Sequence, residues 1–229
     1  MAKRDLISIE DLSRHDVDLL LDTAESFLPI LERDIKKVPT LRGRTIINLF
    51  WEASTRTSSS FDLAAKRLSA DTLALKASGS AVEKGETLKD TAITLSAYAP
   101  DIIVMRHHSA GACQTLSANT PASVINAGDG KHQHPTQCLL DLFSMRQNLG
   151  RDLEGLNVFI VGDILHSRVA RSDIMGFKML GMNVTLVAPP TLMPRGIEEM
   201  GVNVEYDLTN LKNADVIYRF TRDRQWLIE

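Results

Sequence analysis

Short apolar runs rich in β-branched residues alternate with helical patterns along nearly the whole chain, and this alternation constrains the fold more than any other feature. "RTIINLFW", "TLALKA", "DIIVMR" and "ASVIN" read as buried strands, as do "LNVFIVGD", "NVTLVAP", "NVEYD" and "DVIYRF". Helical segments separate them. Leu88, Ala92 and Leu95 share one face of "GETLKDTAITLSAYA", and "PTQCLLDLFSMRQNLG" starts at a proline and stops at a glycine. "SRVARSDIMGFKMLG" is a further helix, with a short one near "PRGIEEMG". The opening segment is helical too. Ser13 and Asp16 have capping-box spacing, and Val17, Leu20, Leu21, Ala24 and Leu28 recur at helical intervals. Pro39 and Gly43 then punctuate the chain, and Phe61, Ala64, Ala65 and Leu68 line a helix after the first strand. Strands alternating with helices predict parallel sheets. The expected fold is α/β, with two doubly wound domains on central parallel sheets. A boundary near Gly150 divides them into 1–149 and 150–229, because the helix before it is placed to bridge two α/β units.

At 229 residues the chain has room for a sizeable core. Its 26 basic and 29 acidic residues leave a net charge of -3, which argues against nucleic acid or an anionic membrane as the main partner. Cys113 and Cys138 have no metal-like spacing and read as free thiols in a reducing compartment. "MAKRDLISIEDL" lacks the apolar region of a secretory signal. No run approaches the roughly 20 apolar residues that span a bilayer. A soluble, cytoplasmic protein is the expectation.

Parallel α/β sheets hold ligands at the carboxyl ends of their strands, where loops enter helix N-termini. Four such ends carry chemistry-bearing side chains. After "IINLFW", the segment "WEASTRTSSSF" clusters Ser54, Thr55, Thr57, Ser58, Ser59 and Ser60 around Arg56. A helix N-terminus with hydroxyl donors and one guanidinium suits a phosphate. The plainer alternative is a serine-capped helix with Arg56 in a surface salt bridge. After "DIIVMR" come Arg106, His107 and His108. After "ASVIN" comes "NAGDGKHQHPTQ", with His134 just before a proline-initiated helix bearing Gln137. After "NVFIVGD" come His166, Ser167, Arg168 and Arg171. Cations and donors at several strand ends point to an anionic small molecule. Zinc on His107, His108, His132 and His134 is disfavoured, since no cysteine or carboxylate stands at the usual spacing. A nucleotide site is disfavoured because GxGxxG and GxxxxGK[ST] are both missing. In "VEKGETLKD", Lys84 and Glu86 read from composition as a solvated face.

"STRT…SF", "KGETLKDTA", "MRH", "NAGDGKHQHPTQCLLD" and "VGDILHSRVARS" resemble, in order and at similar spacing, the motif series of the aspartate carbamoyltransferases. The resemblance runs to about residue 190 and implies transfer of a carbamoyl group from carbamoyl phosphate to L-aspartate, an early step of pyrimidine synthesis. It implies 1–149 as a carbamoyl phosphate-binding domain and 150–229 as an aspartate-binding domain. Ser54, Thr55, Arg56 and Thr57 would hold the phosphate. Thr57, Arg106 and His134 would bond the carbamoyl oxygen, Gln137 the carbamoyl amide, and Arg168 an aspartate carboxylate. Ser80 and Lys84 would be lent by a neighbouring subunit, so a homotrimer with shared sites is implied. No metal, cofactor or covalent intermediate is required. A regulatory chain or a dihydroorotase partner remains open. So do ornithine carbamoyltransferase activity, whose family shares the phosphate motif and the HPxQ element, and a non-catalytic relative that binds carbamoyl phosphate.

Two departures qualify the resemblance. The family writes S-T-R-T-R where this chain has Ser58 at the second arginine position. After "DVIYRF", Thr221 and Arg222 stand near the family's arginine motif for aspartate, but no matching glutamine or H-P-G-P loop follows. An incomplete second domain is therefore expected.

Overall fold

The computed structural model describes residues 5–52, 54–76, 87–149 and 152–220. Two parallel sheets run through them. β1 (Thr45–Phe50), β2 (Asp71–Lys76), β3 (Ile102–His107) and β4 (Ser123–Asp129) form the first, in the order β2-β1-β3-β4. β5 (Asn157–Val161), β6 (Asn183–Val187), β7 (Asn203–Glu205) and β8 (Val216–Arg219) form the second, in the order β7-β6-β5-β8. The α/β expectation holds for both.

The first sheet is covered on both faces, which is why its strands read as continuous apolar runs. Ile47 and Leu49 of β1 pack toward α3 (Leu88–Ser96) and α4 (Ala112–Ser117), against Ala92, Leu95, Cys113 and Leu116. Ile46 and Phe50, the alternate positions, pack toward α2 (Thr55–Arg67) at Phe61 and Ala65. Ala64 of the same helix is exposed. At the β4 edge, the Leu6 N–H donates to the Val124 carbonyl at 2.8 Å, and the Asn126 N–H donates back to Leu6 at 2.9 Å. This bridge covers backbone groups an edge strand otherwise leaves unpaired.

The second core is shared. Val17 and Leu21 of α1 (Arg14–Leu31) join Cys138, Leu142 and Met145 of α5 (Pro135–Leu149) and Ile174 and Phe177 of α6 (Arg168–Met179), over Val158, Ile160 and Leu186. The expected capping box on α1 is present, with Ser13 and Asp16 exchanging bonds at 2.8 and 3.2 Å. The apolar stripe of α1 is narrower than its spacing predicts: Leu20 and Leu28 are exposed, because only Val17 and Leu21 reach the shared core. As expected, α5 bridges the units, packing on β4 and on α6. Gly176 permits the close approach of the two helices, since a Cβ there would stand 2.3 Å from Cys138 Sγ. "PRGIEEMG" forms a 3-10 turn, Ile197–Met200, because Gly196 and Gly201 take left-handed conformations at its two ends and leave no room for an α-helix.

Each sheet changes direction beside its first strand. The chain steps from β1 out to β2 and returns to β3 on the other side; it steps from β5 through β6 and β7 and returns to β8. Crevices open at such switch points, outside the carboxyl ends of the strands. A bond from Arg168, after β5, to Glu52, after β1, joins the two crevices into one cleft.

Candidate active site

Arg106, at the end of β3, occupies the first crevice. Its Nε donates to Glu52 Oε2 at 3.1 Å, and its Nη1 to Ser54 Oγ and Thr57 Oγ1 at 3.2 and 3.4 Å. Ser54 is the N-cap residue of α2, yet its side chain makes no capping bond to that helix. The first N–H groups of a helix have no partner within it, so they and the positive end of the helix dipole remain available to an anion. Arg56 lies in this turn, exposed and without an ion pair among the described residues. Thr55 is exposed beside it. Ser58 turns back on its own helix, its hydroxyl donating to the Ser54 carbonyl at 2.7 Å.

Arg168 opens α6 and enters the cleft from the other sheet. Its Nη2 donates to Glu52 Oε2 at 2.7 Å, while Nη1 is buried without a hydrogen-bond partner among the described residues. Gly128 makes room for this guanidinium. At φ +114° it holds a conformation that L side chains rarely adopt, and a Cβ there would lie 3.1 Å from Nη1. Burial opposes the charge on Glu52, but Arg168 and Arg106 outweigh it and hold the carboxyl below the usual glutamate range. Glu52 was not among the sequence candidates. The signal was present as a lone carboxylate directly ahead of the hydroxyl cluster.

The loop after β4 is organised by Asp129, which is fully buried. It accepts from the Gly111 N–H at 2.8 Å, Asn126 Nδ2 at 2.9 Å and the Gln133 N–H at 3.1 Å, and it pairs with His132. His132 thus braces the loop. The loop delivers His134 into a buried position, where its N–H donates to Ser172 Oγ of α6 at 2.8 Å. Burial, reinforced by the charges of Arg106 and Arg168, pushes the His134 imidazole down to about 3, so the ring is neutral at physiological pH. One turn on, the Gln137 N–H donates to the His134 carbonyl at 3.0 Å, and its side chain reaches Asp141 at 3.0 Å. His107 stacks on His108 with centroids 4.2 Å apart and meets Trp51 edge-on at 4.9 Å. Among the described residues, no group of His, Cys, Asp and Glu side chains is arranged to hold a metal ion.

The second crevice is a cleft of about 490 Å³ bordered by Glu52, Lys131, Asp163, His166, Arg168 and Phe220. Asp163 accepts both the His166 N–H, at 3.0 Å, and a contact from its Nδ1, at 2.9 Å. Ser167 caps α6, accepting from the Ala170 N–H at 3.1 Å. The Arg171 Nε is buried without a hydrogen-bond partner among the described residues. Ser54, Thr57, Arg106 and Arg168 are thus linked directly or through Glu52, with His134 and Gln137 following on the loop and helix beside them. Ser80, Lys84 and Arg222 lie outside the described residues.

Two facing switch-point crevices, one with an open helix N-terminus and both with arginines, define a two-domain α/β protein built to hold anionic small molecules side by side. Residues 4–147 match the family model described as aspartate/ornithine carbamoyltransferase, carbamoyl-P binding domain. The chain belongs to this family. It is 56% identical over 225 residues to the aspartate carbamoyltransferase catalytic subunit of Desulforapulum autotrophicum, covering 97% of this chain and 72% of that one. Its fold matches an aspartate transcarbamoylase from Trypanosoma cruzi solved in complex with carbamoyl phosphate and aspartate, with a TM-score of 0.86 and 32% identity over 94% of this chain and 71% of that one. The same Trypanosoma cruzi enzyme in complex with carbamoyl aspartate and phosphate matches with a TM-score of 0.86 and 33% identity, over 95% of this chain and 74% of that one. Among the described residues, no helix is long and apolar enough to cross a membrane.

Proposed function

We propose that this chain transfers the carbamoyl group of carbamoyl phosphate to the α-amine of L-aspartate, releasing N-carbamoyl-L-aspartate and phosphate for pyrimidine biosynthesis. The observation that carries the reading is the convergence of Arg106 and Arg168, from different sheets, on one cleft beside the open N-terminus of α2. We assign the phosphate to that N-terminus, with Ser54, Thr55, Arg56 and Thr57. Arg106, Thr57 and neutral His134 would surround the carbamoyl oxygen, where negative charge develops as the amine attacks. Donors preset around such an oxygen are worth several kcal/mol to the transition state. Arg168, with its unpartnered Nη1, would receive an aspartate carboxylate. Holding two anions within reacting distance would supply much of the remaining rate. Ornithine fits less well, because its second ammonium group would meet Arg168 and Lys131.

The assignment takes 1–149 as the carbamoyl phosphate half and 150–229 as the aspartate half, with Arg222 on the aspartate side. It places the protein in the cytoplasm as a homotrimer, with Ser80 and Lys84 completing a neighbour's site. Calorimetric titration of carbamoyl phosphate, compared with inorganic phosphate, tests the first half directly. Saturable binding clearly tighter than that of phosphate supports it, and equal affinity for the two ligands overturns it. Sedimentation velocity reads the trimer.

A further inference from the structure

Asp141 sits one turn beyond Gln137 on α5, buried, and accepts the Gln137 Nε2–H at 3.0 Å. An ionised carboxylate only accepts hydrogen bonds, whereas a primary amide has one accepting and one donating end. The pairing therefore commits the glutamine NH2 group to Asp141 and leaves its carbonyl oxygen, Oε1, as the end free to meet a ligand. Glutamine donors and aspartate acceptors on successive turns of a helix support such contacts. The second oxygen, Asp141 Oδ2, is buried with no geometrically formed hydrogen bond among the described residues, and the other donor facing the carboxylate is the Tyr218 hydroxyl, which leaves Oδ1 to the glutamine.

Resting on the carbamoyl phosphate reading above, we propose that Asp141 is a positioning residue: it turns the Gln137 carbonyl toward the ligand and so makes the site select a carbamoyl NH2 group over a methyl group in the same place. A carbamoyl phosphate presents that NH2 as a donor to Oε1. Acetyl phosphate has the same shape and phosphate but offers no donor, leaving Oε1 unpaired. Sites built to bond a substrate N–H discriminate strongly against analogues that lack it.

The surroundings make the orientation sensitive to pH. Burial pushes the Asp141 carboxyl up to about 6, against the opposing pull of the Gln137 amide and the Tyr218 hydroxyl of β8. Asp173 on α6 and the Cys138 thiol on α5 also face it, and burial drives both well above their ordinary ranges. Asp141, Tyr218 and Asp215 line one groove between α5 and β8. Once protonated, Asp141 can donate to Gln137 Oε1, and the amide is free to turn over.

The test compares dissociation constants of carbamoyl phosphate, acetyl phosphate and inorganic phosphate for the full chain and for Asp141→Asn, whose amide can pair with either end of Gln137. The expected result is a drop of about tenfold or more in the carbamoyl-to-acetyl preference, with inorganic phosphate affinity unchanged, a difference equivalent to about 1.4 kcal/mol. A preference unchanged in Asp141→Asn, or phosphate affinity falling in step with it, overturns the proposal. The native chain supplies an independent measurement. Its preference should hold above pH 6 and collapse below, and because both acyl phosphates titrate alike their ratio cancels the phosphate ionisation. A flat ratio across pH 5–7 overturns the proposal even if the variant does not fold. Failure of the native chain to bind carbamoyl phosphate would overturn the functional reading as well, whereas tight binding without the predicted losses overturns only the role of Asp141.

Discussion

Arg168 reaches from the first turn of α6 to within 2.7 Å of Glu52, across the cleft between the two sheets, and Glu52 holds Arg106 with the same oxygen. One carboxylate thus keeps two cations together where their mutual repulsion would separate them. Replacing it with Glu52→Gln removes the charge and leaves both guanidiniums without a counterion. The expected loss of folding stability is about 1–3 kcal/mol at neutral pH, read by urea denaturation and smaller in high salt. Stability equal to that of the native chain would show that the bridge is not holding the sheets together.

Gly128→Ala should act through Arg168. The added Cβ would sit 3.1 Å from Nη1, on a backbone at φ +114°. Displacing a binding group by about 1 Å can cost up to 100-fold in rate. The prediction is a rise of at least about tenfold in the aspartate KM. In an Arg168→Ala background the same substitution should add little to that KM, leaving only the backbone cost. Full additivity in the double variant would mean that Gly128 does not act through Arg168.

His134 should remain neutral far below the pH at which an ordinary histidine protonates. Its pKa is about 3 in the folded state, against roughly 6.5 when unfolded. Between those values the unfolded chain binds the extra proton, so this residue's contribution to stability is complete above about pH 6.5 and is lost as pH falls toward 3. Long-range nitrogen NMR of the ring should show no protonation at pH 5. His134→Ala should lower turnover more than it weakens carbamoyl phosphate binding, and an unchanged turnover number would remove His134 from the mechanism.

Ser58→Arg would restore the second arginine of the family motif in the first turns of α2. Carbamoyl phosphate affinity should rise roughly 3- to 10-fold at low salt, with the gain shrinking as ionic strength increases. A cation near a helix N-terminus also costs about 0.3–1 kcal/mol of stability. Calorimetry at two salt concentrations separates these effects. An affinity that does not change would place position 58 outside the phosphate's field.

Gly176→Ala tests the contact that joins the two units. Its Cβ would lie 2.3 Å from Cys138 Sγ, so α5 and α6 must move apart, at an expected cost of about 1–3 kcal/mol. Cys138→Ala in the same chain should recover part of that loss, because it removes the atom the new methyl group meets.

The alternation of apolar runs and helical patterns was enough to determine the α/β class, the parallel pairing and most elements, because strand and helix periodicities are local properties of the chain. The capping box at Ser13 and the proline start of α5 were legible for the same reason. The sequence also placed Ser54, Arg106, His134 and Arg168 at strand ends, where a parallel sheet must open. It did not reveal Glu52, Asp129, Ser172 or Asp141, since each matters through a partner distant in the chain or through burial: Glu52 meets Arg168 116 residues away. Leu20 and Leu28 show the reverse case, a helical period that tertiary packing left in solvent. Local patterns decide which segments form strands and helices, whereas the order of the strands in each sheet and the close approach of α5 and α6 decide which polar groups share the cleft. Charge pairing and burial depend on distances through space, and only the folded chain sets those.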